Sequence, residues 1–190
     1  MKKFWKKVSI KETSSNSFQI MLDKRILQTP LKRELVFPNL KIAQEIAEEW
    51  DQKSENINTE SMIFYGIIST SIDKIIDDKN LYINDILDYI DTDLVCYRAE
   101  NPKELVELQK NKWDPIIILI EKYIATKIKV FCGVLPQKQE KAVHIKLSSL
   151  INQFNNFEIS ALHRITNITG SIFLSLCVLK KDIMIRRWNL

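Results

Sequence analysis

The chain has 190 residues, 45% of them hydrophobic and 27% charged, which is the balance of a folded protein rather than of a disordered or membrane-embedded one. The net charge of +4 is uneven: residues 1–35 hold nine bases and three acids, residues 36–111 seven and sixteen, and residues 112–190 twelve and five. No block of five or six consecutive basic residues occurs, so the sequence predicts no nucleic-acid-binding arm, while the acidic middle could face a basic patch on another protein.

The first forty residues carry the alternation that is typical of strands. Residues 18–23 alternate apolar and polar side chains with Met21 as the one exception, and proline follows the last two runs of this region. So small a sheet is marginal alone and must pack on something else. The predicted elements are a short apolar run at 4–10, strands at 18–22, 26–29 and 34–37, and a turn at 23–25.

From Asn39 the hydrophobic period becomes that of a helix, with Asn39 as its predicted N-cap. The run Asn101-Pro102-Lys103-Glu104 predicts a helix start in which Asn101 is the cap and Pro102 the first helical residue. We expect Pro115 to restart or kink that helix and the apolar residues 116–120 to lie centrally in the core. Further predicted elements are helices near 40–50, 62–76, 83–90, 139–154 and 158–179, with Gly170 inside the last, and one strand or extended connection at 127–134.

The order of these elements predicts the fold class. A few short strands followed by a run of helices is typical of α+β architecture. We therefore expect a small N-terminal antiparallel β domain, residues 1–38, packed on a larger C-terminal helical bundle of about six helices, residues 39–190.

The cysteines and the chain start indicate the compartment. Cys96, Cys132 and Cys177 form no CxxC pair and no zinc spacing with His144 or His163, which fits a reducing compartment. The basic start is not followed by the apolar run of a signal peptide, and the apolar stretch 172–179 is too short to span a bilayer. The sequence predicts a protein without membrane insertion, in the bacterial cytoplasm or the mitochondrial matrix.

Few residues carry the spacing of a catalytic site. Asp91 and Asp93 could flank a scissile bond or hold a metal, but beside Thr92 at a helix end they are better explained as turn and cap residues. His163 has no acid three or four residues away and is expected to be a structural hydrogen-bonding residue. Cys96 has no histidine nearby in sequence, so it is not predicted to be a nucleophile.

The run of residues 92–100, Thr-Asp-Leu-Val-Cys-Tyr-Arg-Ala-Glu, followed thirteen residues later by Trp113-Asp114-Pro115, is the most distinctive feature of the sequence. It combines carboxylates, a phenol, a guanidinium and an indole without catalytic geometry. Such a combination indicates recognition of another macromolecule.

These residues resemble the assembly chaperone of the α subunit of the F-type ATP synthase, the family called ATP-twelve. The resemblance is carried by motifs in a fixed order along most of the chain and thins after Pro115. The matching residues are Phe4-Trp5-Lys6-Lys7-Val8, Leu22-Asp23, Arg25, Leu27, Thr29-Pro30, Ala47, Glu49-Trp50-Asp51, Thr70, Ile72-Asp73, Thr92-Asp93-Leu94, Cys96-Tyr97-Arg98-Ala99, Gln109, Trp113-Asp114-Pro115 and Gly170-Ser171.

The resemblance implies a non-enzymatic chaperone that has an N-terminal β domain and a C-terminal helical domain. Such proteins bind the unassembled α subunit and prevent its aggregation until the β subunit replaces them. No cofactor, nucleotide or metal is implied, and a monomer would suffice for such exchange. The partner-contact residues expected from this comparison are Asp93, Tyr97, Arg98, Trp113 and Asp114, with intrachain packing and capping as the alternative for each.

Three departures from the family pattern stand out. The usual Asp-Gly-Arg turn is Asp23-Lys24-Arg25 here, which should alter the hairpin turn type. The usual Met-Pro is Met62-Ile63. Relatives generally continue past Leu190 with an acidic, tryptophan-containing helical segment that has been linked to function, and we expect this chain to lack it.

Two other functions remain open from the residues alone. A small hydrolase-like enzyme using Asp91, Asp93 and His163 predicts one concave pocket that gathers these groups. A protein that associates with RNA or membranes through its basic N-terminal sheet predicts binding that weakens steeply as salt rises.

Overall fold

The computed structural model describes residues 2–13, 17–37, 39–52 and 56–180, so Pro38, the proline expected to end the strand at 34–37, lies outside the described residues, as does the chain from 181 to 190. The chain divides after Asp77 into two compact units. Within its described parts, an antiparallel three-stranded sheet lies near the N-terminus and a larger helical portion follows. The predicted α+β class is therefore confirmed.

The sheet of the first unit has the order β1-β2-β3, with β1 at Val8–Glu12, β2 at Phe18–Leu22 and β3 at Arg25–Ile26. Strand β2 has the predicted bounds, and Ile10 faces Ile20 across the β1–β2 ladder. The predicted returning strand at 26–29 is shorter and starts earlier, because the turn consists of Asp23 and Lys24 alone. The predicted strand at 34–37 is reduced to isolated bridges that join Glu34 to Gln28 and Phe37 to Phe18.

The first helix of the first unit packs on strands β1 and β2, and a second helix follows it in the chain. Helix α1 spans Leu40–Trp50, and its N-cap is Asn39 as predicted, whose side chain accepts a hydrogen bond from Lys41 N at 2.8 Å. A 3₁₀ turn at Thr59–Ser61 leads into α2 at Ile63–Thr70, which continues as a π turn at Ser71–Ile75.

Aromatic rings join the sheet side of this unit to its helices. The rings of Trp5 and Trp50 lie 5.0 Å apart, and Trp50 meets Tyr65 edge-on at the same distance. The indole nitrogen of Trp5 donates to Trp50 O at 3.2 Å. Residues 39–77 therefore share one compact unit with the sheet, whereas the sequence predicts a domain boundary after residue 38.

The second unit is helical with one short pair of strands. Its helices are α3 at Lys79–Leu87, α4 at Lys103–Ile124, α5 at Lys141–Asn152, α6 at Asn156–Thr169 and α7 at Ile172–Leu179. Strand β4, Tyr97–Arg98, pairs in parallel with β5, Phe131–Cys132, inside the extended connection expected at 127–134.

Two predictions about helix ends in this unit are wrong, those for Asn101 and Gly170, and of the restart or kink expected at Pro115 the restart does not occur. The cap of α4 is Pro102 rather than Asn101, and it makes no side-chain cap bond. Helix α4 runs through Pro115 without restarting. The helix expected at 158–179 is two helices, because Gly170 adopts φ +66° and ends α6 as a left-handed C-cap.

The apolar run at 116–120 is only partly core. Ile117 and Ile120 are buried, but Ile118 is 51% exposed because consecutive residues of a helix cannot all face inward. No helix in the described part of the chain is long and apolar enough to cross a membrane.

Candidate partner-binding surface

Arg98 lies at the centre of the residues that the sequence singles out. It ends β4, and its side chain is only 8% exposed. The guanidinium donates to the carbonyl of Val95 and to Asp114 Oδ1, the latter at 3.0 Å, and its carbon lies 5.0 Å from the centre of the Trp113 ring. A buried cation thus has an acid, a carbonyl and an aromatic face as partners, which is the arrangement that arginine fits and lysine does not.

Trp113 and Asp114 reach Arg98 from the middle of α4. They precede Pro115, whose missing N–H removes one hydrogen bond from the helix ladder at this point. Trp113 is half-buried, and the carboxylate of Asp114 is 39% exposed. Both side chains are therefore held by Arg98 while part of each stays open to a partner.

Strand β4 fixes the position of this group. Ala99 N donates to Gln109 Oε1 on α4 at 2.7 Å, and Gly133 N donates to Arg98 O at 3.0 Å. The Tyr97 hydroxyl donates to Asp91 O at 2.6 Å, and its ring lies 5.4 Å from that of Phe131. Segment 97–99 is consequently tied on both sides, to α4 and to β5.

Asp93 is fully buried and faces inward. Its carboxylate accepts hydrogen bonds from Val95 N at 2.9 Å and from Phe173 N at 3.0 Å, and so it caps the 3₁₀ turn Leu94–Cys96 and the start of α7 together. Burial raises the pKa of this carboxyl to about 6, against the lowering effect of its hydrogen bonds. The geometry makes Asp93 a residue that positions the 94–98 segment.

Asp91, Asp93 and His163, which a hydrolase-like enzyme would use together, do not lie at one site. Asp91 Oδ1 lies 2.9 Å from His144 Nε2 and accepts from Gln139 N, whereas Asp93 bonds to α7. His163 stacks edge-on against Tyr82 and lies 3.6 Å from Asp85. Each of the three therefore has its own separate set of intrachain partners, as expected for structural residues.

The two buried thiols near this region, Cys96 and Cys177, are poor nucleophiles. Cys96 is buried, and desolvation, followed by the nearby Asp93 charge, raises its pKa far above the ordinary value. The same two causes raise the pKa of Cys177 to about 12. Both thiols are therefore protonated near neutral pH.

The two elements bonded to segment 97–99 carry or lead into exposed apolar side chains that the sequence did not single out. On α4, Leu105 is 39% and Leu108 54% exposed, although the helical period groups them with buried residues. After β5, Val134 is 90% and Leu135 76% exposed. The one available signal was the apolar pair Val134-Leu135 directly before Pro136, since exposed aliphatic residues at a loop tip are unusual.

The chain matches the family described as the ATP12 chaperone protein over residues 2–121. This interval contains all five predicted partner-contact residues. A curated relative, the mitochondrial protein atp12 of Schizosaccharomyces pombe, is 25% identical over 193 aligned residues. The alignment covers 94% of this chain but 65% of that protein, so the chain spans about two thirds of the length of this relative.

Solved structures show the same fold. The Atu1473 protein of Agrobacterium tumefaciens superposes with a TM-score of 0.86 at 30% identity, covering 97% of this chain and 69% of its own. Atp12 from Paracoccus denitrificans gives a TM-score of 0.80 at 29% identity, covering 98% of this chain and 86% of its own. The likeness therefore extends well beyond residue 121.

Proposed function

The chain belongs to the ATP12 chaperone family, and from that premise we propose that it is an assembly chaperone which binds the unassembled α subunit of the F-type ATP synthase. It acts by binding and not by catalysis, in the compartment where the synthase head is assembled. The match of the family over residues 2–121 is the observation that carries this proposal.

The chemistry of the surface around Arg98 supports a binding role. An indole and a carboxylate are held half-open by a buried guanidinium, and exposed leucines and a valine occur on the same helix and in the loop after β5. Aromatic and arginine residues dominate the energetics of protein interfaces, while exposed aliphatic residues exclude water around them. We infer that Trp113 and Asp114 contact the α subunit and that Arg98, Tyr97 and Asp93 hold them in place.

The physical need for such a binder follows from ring assembly. A subunit of a multisubunit ring exposes apolar interface area before its neighbours arrive, and this area favours aggregation. A chaperone must cover it with an affinity low enough to permit exchange for the true neighbour. A mixed polar and aromatic surface meets this demand better than a purely apolar one.

Co-expression of this chain with the α subunit from the same cell tests the proposal. We expect α to stay soluble and to co-purify with the chain in one complex, whereas α expressed alone aggregates. Aggregated α beside well-folded free chain would contradict the proposal. Addition of the β subunit should release the chain, which can be followed by size-exclusion chromatography.

Two sets of variants test the surface itself. We expect capture of α to weaken in Trp113→Ala and in the double variant Leu105→Ser/Leu108→Ser. The double variant should change the melting temperature of the free chain little. Matched controls are Phe157→Ala and Ile145→Ser/Ile168→Ser, which remove exposed apolar side chains from α6 and α5. Equal loss of capture in variants and controls would show that this surface is not the contact.

A further inference from the structure

Strand β1 is an edge strand whose outer backbone groups are open. Lys7 O accepts a hydrogen bond from Asp23 N, and Thr13 N donates one to Ser17 O. Since these two pairs continue the register of the β1–β2 ladder, the odd-numbered residues of β1 are the ones whose backbone groups bond to β2. The backbone N–H and C=O groups of successive residues point to opposite sides of an antiparallel strand, so those of Ser9 and Lys11 point towards β2. The N–H and C=O groups of Val8, Ile10 and Glu12 therefore point away from the sheet, and within the described residues they have no hydrogen-bond partner.

A groove of about 320 Å³ runs beside this edge, between β1 and α1. Val8, Ile10 and Ala47 form its apolar floor, and all three are only partly buried. The side chains of Lys7 and Lys11 project from the opposite face of the strand, because successive residues alternate in direction. A strand laid along β1 would thus find backbone partners and an apolar strip on the α1 side, and the side chains that it turns to the other face would lie beside these lysines.

The far wall of the groove is acidic. It is lined by Glu48 and Asp51, which are both exposed, together with Gln44. They lie in the last turn of α1 and at its C-cap, where the helix dipole is already negative and no basic residue occurs. Their neighbour Glu49 is engaged elsewhere, since its carboxylate accepts from Phe64 N and Tyr65 N at 2.8 Å. Lys3 Nζ donates to Gln52 O at 2.6 Å near this helix end, but the residues that line the groove include no basic side chain, so a cationic group in the groove would face Glu48 and Asp51.

We propose that the edge of β1 binds an extended segment of the client polypeptide by strand addition. The open groups of Val8, Ile10 and Glu12 select an extended backbone, the groove takes alternate apolar side chains, and Glu48 with Asp51 takes a lysine or arginine. The same carboxylates repel a phosphate backbone. The identity of the client rests on the proposed function, whereas the chemistry of the segment rests on this groove alone.

A peptide-binding experiment on the whole chain tests this site. The probe is a capped, fluorescein-labelled octapeptide with threonine at every second position and valine at the others, except for one lysine that replaces a terminal valine and therefore faces the α1 side with the remaining valines. Binding is followed by fluorescence anisotropy. We expect saturable binding that weakens when glutamate replaces lysine in the probe, and also when proline replaces a central valine. In ¹⁵N spectra, the amides of Val8, Ile10 and Glu12 should shift and exchange more slowly.

Variants of the chain locate the binding. Glu48→Lys/Asp51→Lys should weaken the probe roughly tenfold, the effect of two exposed ion pairs, while leaving or raising the melting temperature because it favours the helix dipole. Glu34→Lys/Glu60→Lys makes the same change of charge on other exposed acids of this unit and should not alter affinity. Ile10→Pro removes an outward N–H but no β1–β2 bond, so it should weaken the probe more than Ile10→Ala does.

The outcomes are distinct from those of the co-expression test. No saturable binding of the probe, or equal affinity for all four variants, would overturn strand addition at β1. Capture of the α subunit would be unaffected by that result if the surface around Arg98 suffices. Conversely, specific probe binding in a chain that fails to hold α would support the edge site and refute the named client.

Discussion

Two tryptophans, one in each unit, show how the same side chain serves two purposes. Trp50 is 4% exposed and lies between the rings of Trp5 and Tyr65 in the core of the first unit. Trp113 is half-buried, and its face is covered by the guanidinium of Arg98 rather than by another ring. The first cluster is closed to solvent, whereas the second leaves part of its indole accessible.

The difference lies in what each cluster excludes. Aromatic rings packed on one another remove apolar area from water and stabilise the fold. A guanidinium stacked on an indole fixes the position of the ring but leaves part of the ring and the neighbouring carboxylate exposed, as in the hot spots of protein interfaces. Substitutions should therefore separate stability from partner capture.

The largest expected effect is on the core cluster. Trp50→Ala should lower the free energy of unfolding by about 3–5 kcal/mol, the usual cost of truncating a buried tryptophan. Trp113→Ala should lower it by only about 1–2 kcal/mol because the ring is half-exposed, yet it should reduce capture of α more strongly. Urea unfolding and co-purification measure the two quantities, and the comparison fails if both variants lose stability equally.

The next effect concerns pH and the buried carboxyl that supports the second cluster. The pKa of Asp93 is raised from 3.8 to about 6, so the folded protein binds this proton more tightly than the unfolded chain. The resulting stabilisation is complete below pH 4 and is lost as pH rises through 6, by about 2–3 kcal/mol. Urea unfolding of wild type and Asp93→Asn between pH 4 and 7.5 should show their difference titrating in this window. A pH-independent difference would contradict the assignment.

A smaller effect is expected for Arg98→Lys. Lysine keeps the charge but cannot hold the Val95 carbonyl, Asp114 and the Trp113 face together, so we expect a loss of about 1–2 kcal/mol in stability. Capture of α should weaken as well, since Trp113 is no longer fixed. Lys112→Arg on α4, next to Trp113, is the conservative control. Wild-type behaviour of Arg98→Lys in both assays would show that the guanidinium fork is unimportant.

The smallest effect is expected at the break between α6 and α7. Gly170→Ala places a Cβ only 3.8 Å from that of Leu94, which is ordinary contact, but it forces alanine to adopt φ +66°. The cost should be about 1 kcal/mol by thermal unfolding, arising from the backbone alone. A neutral substitution would show that the α6 C-cap can relax.

Much of the fold follows from local patterns. The strand at 18–22, the Asn39 cap and the helical period of α1 are correct because they depend on neighbouring residues only. The prediction at Asn101 is wrong because its sequence is that of a capping residue although the cap is its neighbour Pro102. The prediction at Gly170 is wrong because apolar periodicity continues on both sides of the residue and hides the helix end. The exposure of Leu105 and Leu108 could not be predicted from local periodicity either, because periodicity identifies a helix but not which neighbouring elements cover each of its faces.

The sequence by itself determined the α+β class, the order of most elements and the residues that carry the family likeness, since alternation, capping and motif order are properties of the chain. Only the tertiary structure decided that Asp93 is buried as a double cap and that Arg98 joins Trp113 to Asp114. It also decided which backbone groups of β1 stay open. These are contacts between segments distant in sequence, and they depend on packing that no single segment specifies.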